Sequence, residues 1–231
     1  MNPMKISHPI TNTVLLTFDT RKDLTLSMTR CQEFFENSNE HIRGKSFTFY
    51  DLINSQMDDN GNISYYSYFD GFNFSSVTYY DWVDSIRDPS GHPDFTRHEY
   101  ELHLQLDIRG TRDNFYIIGC LDDNSALDHE LAHARYYLDE YYMIKMDQLT
   151  ARFYSHLTEY LSMVRALTAL GYADHVLDDE IQAYMSTSKK KELRKDFGID
   201  TKLLKPLIKE YRQTFKHFRK QHDARTSFLS R

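Results

Sequence analysis

His129-Glu130-Leu131-Ala132-His133 is the stretch on which the reading of this chain turns. Residues four apart share one face of a helix, so both imidazoles can reach a single point while Glu130 stands beside them. With eleven histidines and as many glutamates in 231 residues, chance produces the pattern roughly 0.02 times per chain. The segment ahead of it, Asn114-Phe115-Tyr116-Ile117-Ile118-Gly119-Cys120, is a short apolar, β-favouring run closed by the polar Asp122-Asp123-Asn124, which predicts a strand and a turn. Ser125 is placed to cap the helix that follows, with Asp128 three residues on in a shortened capping box. Leu127, Leu131, Ala132 and Ala134 then recur at helical spacing.

An H-E-x-x-H pair on a helix that directly follows a strand resembles the zincins, the zinc metallopeptidases that carry this signature. A catalytic zinc takes three protein ligands and keeps one position open, so a third ligand has to come from elsewhere in the chain. In the metzincin extension, H-E-x-x-H-x-x-G-x-x-H, the glycine and last histidine correspond to Tyr136 and Asp139. Asp139 can ligate, but a bulky tyrosine stands where the chain has to turn back. Glu180, in Asp178-Asp179-Glu180-Ile181-Gln182-Ala183-Tyr184, lies 47 residues past His133. It resembles the gluzincin glutamate that completes the site from a second helix, with Ala183 in the place of the small residue that lets the two helices pack closely. The resemblance spans residues 114 to 185 and rests on His129, Glu130, His133, Glu180 and Ala183; the first hundred residues match no subfamily.

The resemblance implies an α+β, zincin-like fold: a small N-terminal mixed sheet with aromatic loops, a motif helix after an edge strand, and a helical C-terminal half. It implies Zn²⁺ held by His129, His133 and Glu180, with Glu130 as general base in the hydrolysis of a peptide bond. The substrate is then a peptide or protein that adds as an extra strand along the edge formed by 114–120. Tyr184, Tyr137 and Tyr136, each one turn beyond a ligand, are the candidates for oxyanion or substrate contact, and the sequence does not choose among them. Asp178 and Asp179 are either first-turn acids favoured by the helix dipole or partners that orient a ligand histidine. His156 and His175 are isolated and read as ordinary surface or core residues.

Composition frames these expectations. A hydrophobic content of 40% over 231 residues supports a sizeable core. No charged-apolar-small leader pattern and no run of about 18 apolar residues is present, so a soluble, cytoplasmic protein without a membrane span is expected. Cys31 and Cys120 lack metal-knuckle spacing and read as buried thiols. The net charge of −6 is uneven: residues 189–231 carry fourteen Lys and Arg against five Asp and Glu, a balance of +9, which leaves −15 for residues 1–188. That reset places a boundary between a catalytic domain, 1–188, and a basic helical extension, 189–231, packed on or near it. The alternative function is a non-catalytic zinc-containing module whose basic C-terminal helix recruits a protein or nucleic acid. Nucleic acid is the weaker partner, because the aromatic run from Tyr65 to Trp82 sits in the acidic part of the chain.

Elsewhere, Thr13 to Phe18 predicts a strand, and Leu24, Met28, Cys31 and Phe35 an amphipathic helix. Phe47 to Trp82 reads as short strands joined by loops, and Asp94 to Ile108 as a helix at least at its start. Met146 to Leu170 reads as one long helix ended by Gly171, Ala173 to Met185 as another, and Leu203 to Lys220 as a last one with Pro206 near its start.

Overall fold

The computed structural model describes residues 5–55, 69–107, 114–123 and 125–229, with the backbone alone at 55, 107 and 221–229. The chain forms two compact units, Met1–His8 with Thr13–Leu127, and Pro9–Asn12 with Asp128–Arg231. They part at Leu127 rather than at Ser188, because the last two helices pack on the helices that precede them instead of standing apart. Among the described residues no helix is long and apolar enough to cross a membrane.

The first unit is built on a four-stranded mixed sheet of β1 (Lys5–Ser7), β2 (Thr13–Phe18), β3 (Gly71–Ser75) and β4 (Tyr116–Leu121), in the order β1-β2-β4-β3. β2 and β4 run parallel, Thr13 opposite Tyr116 through Phe18 opposite Leu121, and β3 pairs antiparallel to β4 from Gly71–Cys120 to Ser75–Tyr116. β4 is therefore paired along both sides, so it is an interior strand and not the edge expected of it. Its continuous apolar run fits burial on both faces, which is how interior strands of parallel pairs read.

Helix α1 (Arg21–Glu36) lies across this sheet, capped by Thr20, whose hydroxyl accepts from Asp23 N. Its close approach is set by Gly119, where a Cβ would stand 3.0 Å from both Leu24 Cδ1 and Met28 Cε. Leu24, Met28, Phe72 and Ile117 are fully buried with Trp82 and Leu102 in one core, and each such side chain contributes about 1.5–3 kcal/mol by leaving water. Phe35, the last member of the predicted apolar stripe, is 43% exposed. The region read as short strands holds helices α2 (Phe49–Ser55) and α3 (Ser76–Ser85) around β3. Ser75 caps α3 by accepting from Thr78 N. Tyr65, Tyr66 and Tyr68 lie outside the described residues. Helix α4 spans Arg97–Asp107. Cys31 and Cys120 are buried, and burial holds the Cys31 thiol well above its usual range.

The second unit is helical: α5 (Leu127–Leu138), α6 (Glu140–Tyr154), α7 (Leu157–Ala169), a 3₁₀ turn (Asp174–Val176), α8 (Leu177–Thr187), α9 (Lys190–Phe197) and α10 (Lys205–Leu229). α6, α8 and α10 pack on one another and form its centre. The long helix expected from Met146 to Leu170 is two, because His156 leaves helical geometry (φ −98°, ψ 64°) although the apolar spacing runs on through it. α10 opens at Lys205, which puts Pro206 in its first turn, where a missing N–H costs nothing.

Candidate metal centre

α5 begins at Leu127. Ser125 sits in the preceding turn, donating its N–H to Asp123, and is not the cap. The helical repeat sets His129 and His133 one turn apart, and their Nε2 atoms lie 3.1 Å from each other. α8 brings Glu180 to the same point: Oε1 is 3.6 Å from His133 Nε2 and Oε2 is 3.8 Å from His129 Nε2. Three donors in a tetrahedral zinc shell at 2.0–2.1 Å from the ion stand about 3.3 Å apart, and these separations bracket that value. The three residues form the one His/Cys/Asp/Glu cluster among the described residues that can hold a metal ion.

Neighbouring groups orient both rings. Asp179 Oδ1 is 3.0 Å from His133 Nδ1 and accepts a hydrogen bond from it, which turns Nε2 towards the same point. The Thr187 hydroxyl donates to Ala183 O at 2.7 Å, leaving its oxygen to accept from His129 Nδ1 at 3.4 Å. Tyr172 hydrogen-bonds the Glu180 carboxylate. Glu180 Oε2 is nonetheless buried without a hydrogen-bond partner among the described residues, an acceptor aimed at the point where the two Nε2 atoms converge. The donor set fits a cation at that point, since a buried acceptor left unmatched costs about 1–3 kcal/mol.

The electrostatics point the same way. Burial, aided by the charge of His133, holds His129 well below its usual range, so it is neutral and its lone pair is available. Burial alone would lower His133 too, but Asp179, Glu180 and Glu130 outweigh it and hold that imidazole well above its usual range. Burial pushes Glu180 up to about 8 against the pull of His133. Glu130 and Glu180 are 4% and 2% exposed. This buried nest of carboxylates holds a proton where it can instead hold a metal ion, and the two compete.

Of the three candidate tyrosines, Tyr184 is the one against a ligand: its ring centroid is 4.5 Å from that of His129 and 4.6 Å from that of Phe197. The Tyr136 hydroxyl donates to Asp147, and burial with that carboxylate raises its pKa. Tyr137 is 41% exposed. Asp139 is committed as the cap of α6, accepting from Tyr142 N at 3.1 Å, and stands outside the cluster, as do His156 and His175. A cavity of about 890 Å³ lies against Arg135, Leu138 and Tyr141, and none of His129, Glu130, His133 and Glu180 lines it. Tyr172 and Thr187 carry no sequence signal, because their contacts exist only once α8 has docked on α5. Comparison of the chain with protein-family models, with curated proteins and with solved structures finds no match.

Proposed function

We propose that this protein is a zinc-dependent peptidase in which His129, His133 and Glu180 hold the metal and Glu130 is the general base. The observation that carries the reading is the convergence of the two Nε2 atoms with a glutamate whose Oε2 has no hydrogen-bond partner among the described residues. Two imidazoles and a carboxylate suit zinc, and three protein donors are the number found in catalytic rather than structural sites. A zinc ion held by these three residues would lower the pKa of water to about 7 and polarise the scissile carbonyl. Glu130, buried on α5 between the two ligands, takes the proton of the attacking water and returns it to the leaving amine. Tyr184, held against His129 and Phe197, is the tyrosine placed to contact substrate or the developing oxyanion. The peptide does not add to β4, whose two sides are taken by β2 and β3.

The experiment is a comparison of wild type and Glu130→Gln for zinc content and for cleavage of an unbiased peptide library. One zinc per chain in both, with cleavage reduced by about a hundredfold or more in the variant, is the expected result. A variant that cleaves within about threefold of wild type removes Glu130 from the role of base. Wild type that holds zinc and cleaves nothing favours the non-catalytic reading, in which the basic face of α10 does the work.

A further inference from the structure

A second site lies on α9 and α10. Lys205, Lys209, Arg212 and Lys216 recur at spacings of four, three and four, which sets them along one face of α10. Together with Lys190, the first residue of α9, they line a cavity of about 360 Å³ whose other walls are Ile208 and Gln213. Among the described residues, five cations and no carboxylate line this cavity.

Nearby charges pair differently. Arg152 takes Glu210, Lys189 takes Glu192, Lys195 takes Asp196 and Arg219 takes Asp128, whereas none of the five cavity cations has an ion-pair partner among the described residues. Glu210, next in sequence to Lys209, is held by both terminal nitrogens of Arg152 and so offers Lys209 no relief. Arg212 is fixed in place: Nη2 donates to the carbonyl of Ser188, while Nε is buried without a hydrogen-bond partner among the described residues. Lysines four apart on a helix repel one another, and a concave surface concentrates that repulsion. An anion of several charges seated among them turns each repulsion into an attraction.

We propose that this cavity binds a compact ligand carrying two or more phosphate groups. Its volume lies in the range of small-molecule pockets, which begins at about 300 Å³. Ammonium groups act on phosphate as point charges, while a guanidinium fixed by one contact offers its remaining N–H groups in a planar fork. The lysines are exposed and reachable, and Arg212, half-buried at the floor, supplies direction. A free polyphosphate fits better than a membrane surface, because the cations ring a concavity and the apolar wall is a single isoleucine. None of these residues belongs to the metal cluster, so the two sites are separable by mutation.

The test is calorimetric titration of the full chain with inorganic tripolyphosphate at about 50 mM salt and again at about 300 mM, where screening shortens the reach of the charges. One ligand per chain, with affinity falling as salt rises and unchanged in Glu180→Ala, is expected; the last arm separates this site from any binding of the ligand to zinc. Lys209→Gln with Lys216→Gln should weaken binding about tenfold or more, and Lys190→Gln alone should weaken it measurably. Lys195→Gln with Lys202→Gln, matched in charge but outside the cavity, should stay within about twofold of wild type. The Lys209/Lys216 variant should melt at or above wild type, since it loses repulsion and no packing. Absence of saturable binding, or an equal loss in the matched control, overturns the proposal. So does binding of phosphatidylserine vesicles or duplex RNA that tripolyphosphate fails to displace, which would assign the face to a macromolecule.

Discussion

Two buried charge clusters, one in each unit, behave in opposite ways. In the first unit Arg30 Nη1 lies 3.1 Å from Glu99 Oε2, with side chains only 3% and 1% exposed. Arg30 also reaches Asp94 O at 3.3 Å and stands 5.9 and 5.8 Å from the rings of Phe47 and Trp82, while Glu99 accepts from Thr96 N at 2.7 Å. One buried positive group meets one buried negative group and the chain supplies both; Asp94, the other carboxylate whose charge weighs on Glu99, is exposed. In the second unit the charges that weigh on His133 and Glu180 are each other's and those of Asp179 and Glu130, so carboxylates outnumber the single imidazolium. A buried cluster balanced by the chain is architecture, and one left anionic is a place for a cation from outside.

The contrast is sharpest at Glu180. Glu180→Ala is expected to weaken zinc binding more than about a hundredfold, because an incomplete shell of two imidazoles remains. Asp139→Ala should leave zinc affinity nearly intact and affect only the start of α6, which Asp139 caps. Titration of each variant against a chelator ranks them, and the reverse ranking would return the site to the metzincin-like arrangement that Tyr136 argues against.

Next in size is Arg30. Removing the only cation from a buried pair strands a carboxylate, so Arg30→Met should destabilise the fold by about 3–5 kcal/mol in urea denaturation. Pairing it with Glu99→Leu should recover most of that loss, since an apolar pair of similar volume fills the space without an unmet charge. A double variant as unstable as the single one would mean that the pair is held for its packing around Phe47 and Trp82 rather than for its charge.

The third effect separates ligand from support. Asp179→Asn keeps the shape of the group that receives His133 Nδ1–H but removes its charge, and zinc affinity should fall about 10- to 100-fold. A fall as large as that of Glu180→Ala would make Asp179 a ligand itself.

How much of this was legible beforehand depends on range. β2 follows from six residues of β-favouring sequence, and its bounds agree with Thr13–Phe18. The pairing of His129 with His133 needs only the helical repeat. Glu180 was singled out by the gluzincin resemblance rather than by its own spacing, and Asp179 stood open between a first-turn acid and a partner of a ligand histidine. Both lie on α8 beside His133, and Ala183 on the same helix is fully buried. The interior position of β4 was not readable, since an apolar run fits an edge or a centre equally well until its neighbours are known. The break at His156 carries no proline or glycine, and the apolar period of Phe153, Leu157 and Leu161 continues across it. α3 was misread because its aromatic residues favour strands, yet packing around Tyr79 and Trp82 overrode that preference and the Ser75 cap gave the helix its start.

The smallest effect tests the balanced cluster from its acidic side. Burial raises the Glu99 carboxyl above its usual value even though Arg30 opposes the shift. A carboxyl with a raised folded pKa is protonated more in the folded than in the unfolded chain, so its contribution to stability is fully present at low pH and declines as pH rises through the folded pKa. Glutamine imitates the protonated form and does not titrate. Glu99 Oε1 already lacks a hydrogen-bond partner among the described residues, so an amide there exchanges one unmatched atom for another. Glu99→Gln is therefore expected to lie within about 1 kcal/mol of wild type near neutral pH, far from the cost of Arg30→Met. Between about pH 4 and pH 7 the difference should move in favour of the variant, read as urea midpoints of the two proteins. A variant that falls further behind wild type as pH rises would show that Arg30 outweighs burial, and would turn this pair from a tolerated buried charge into a source of stability.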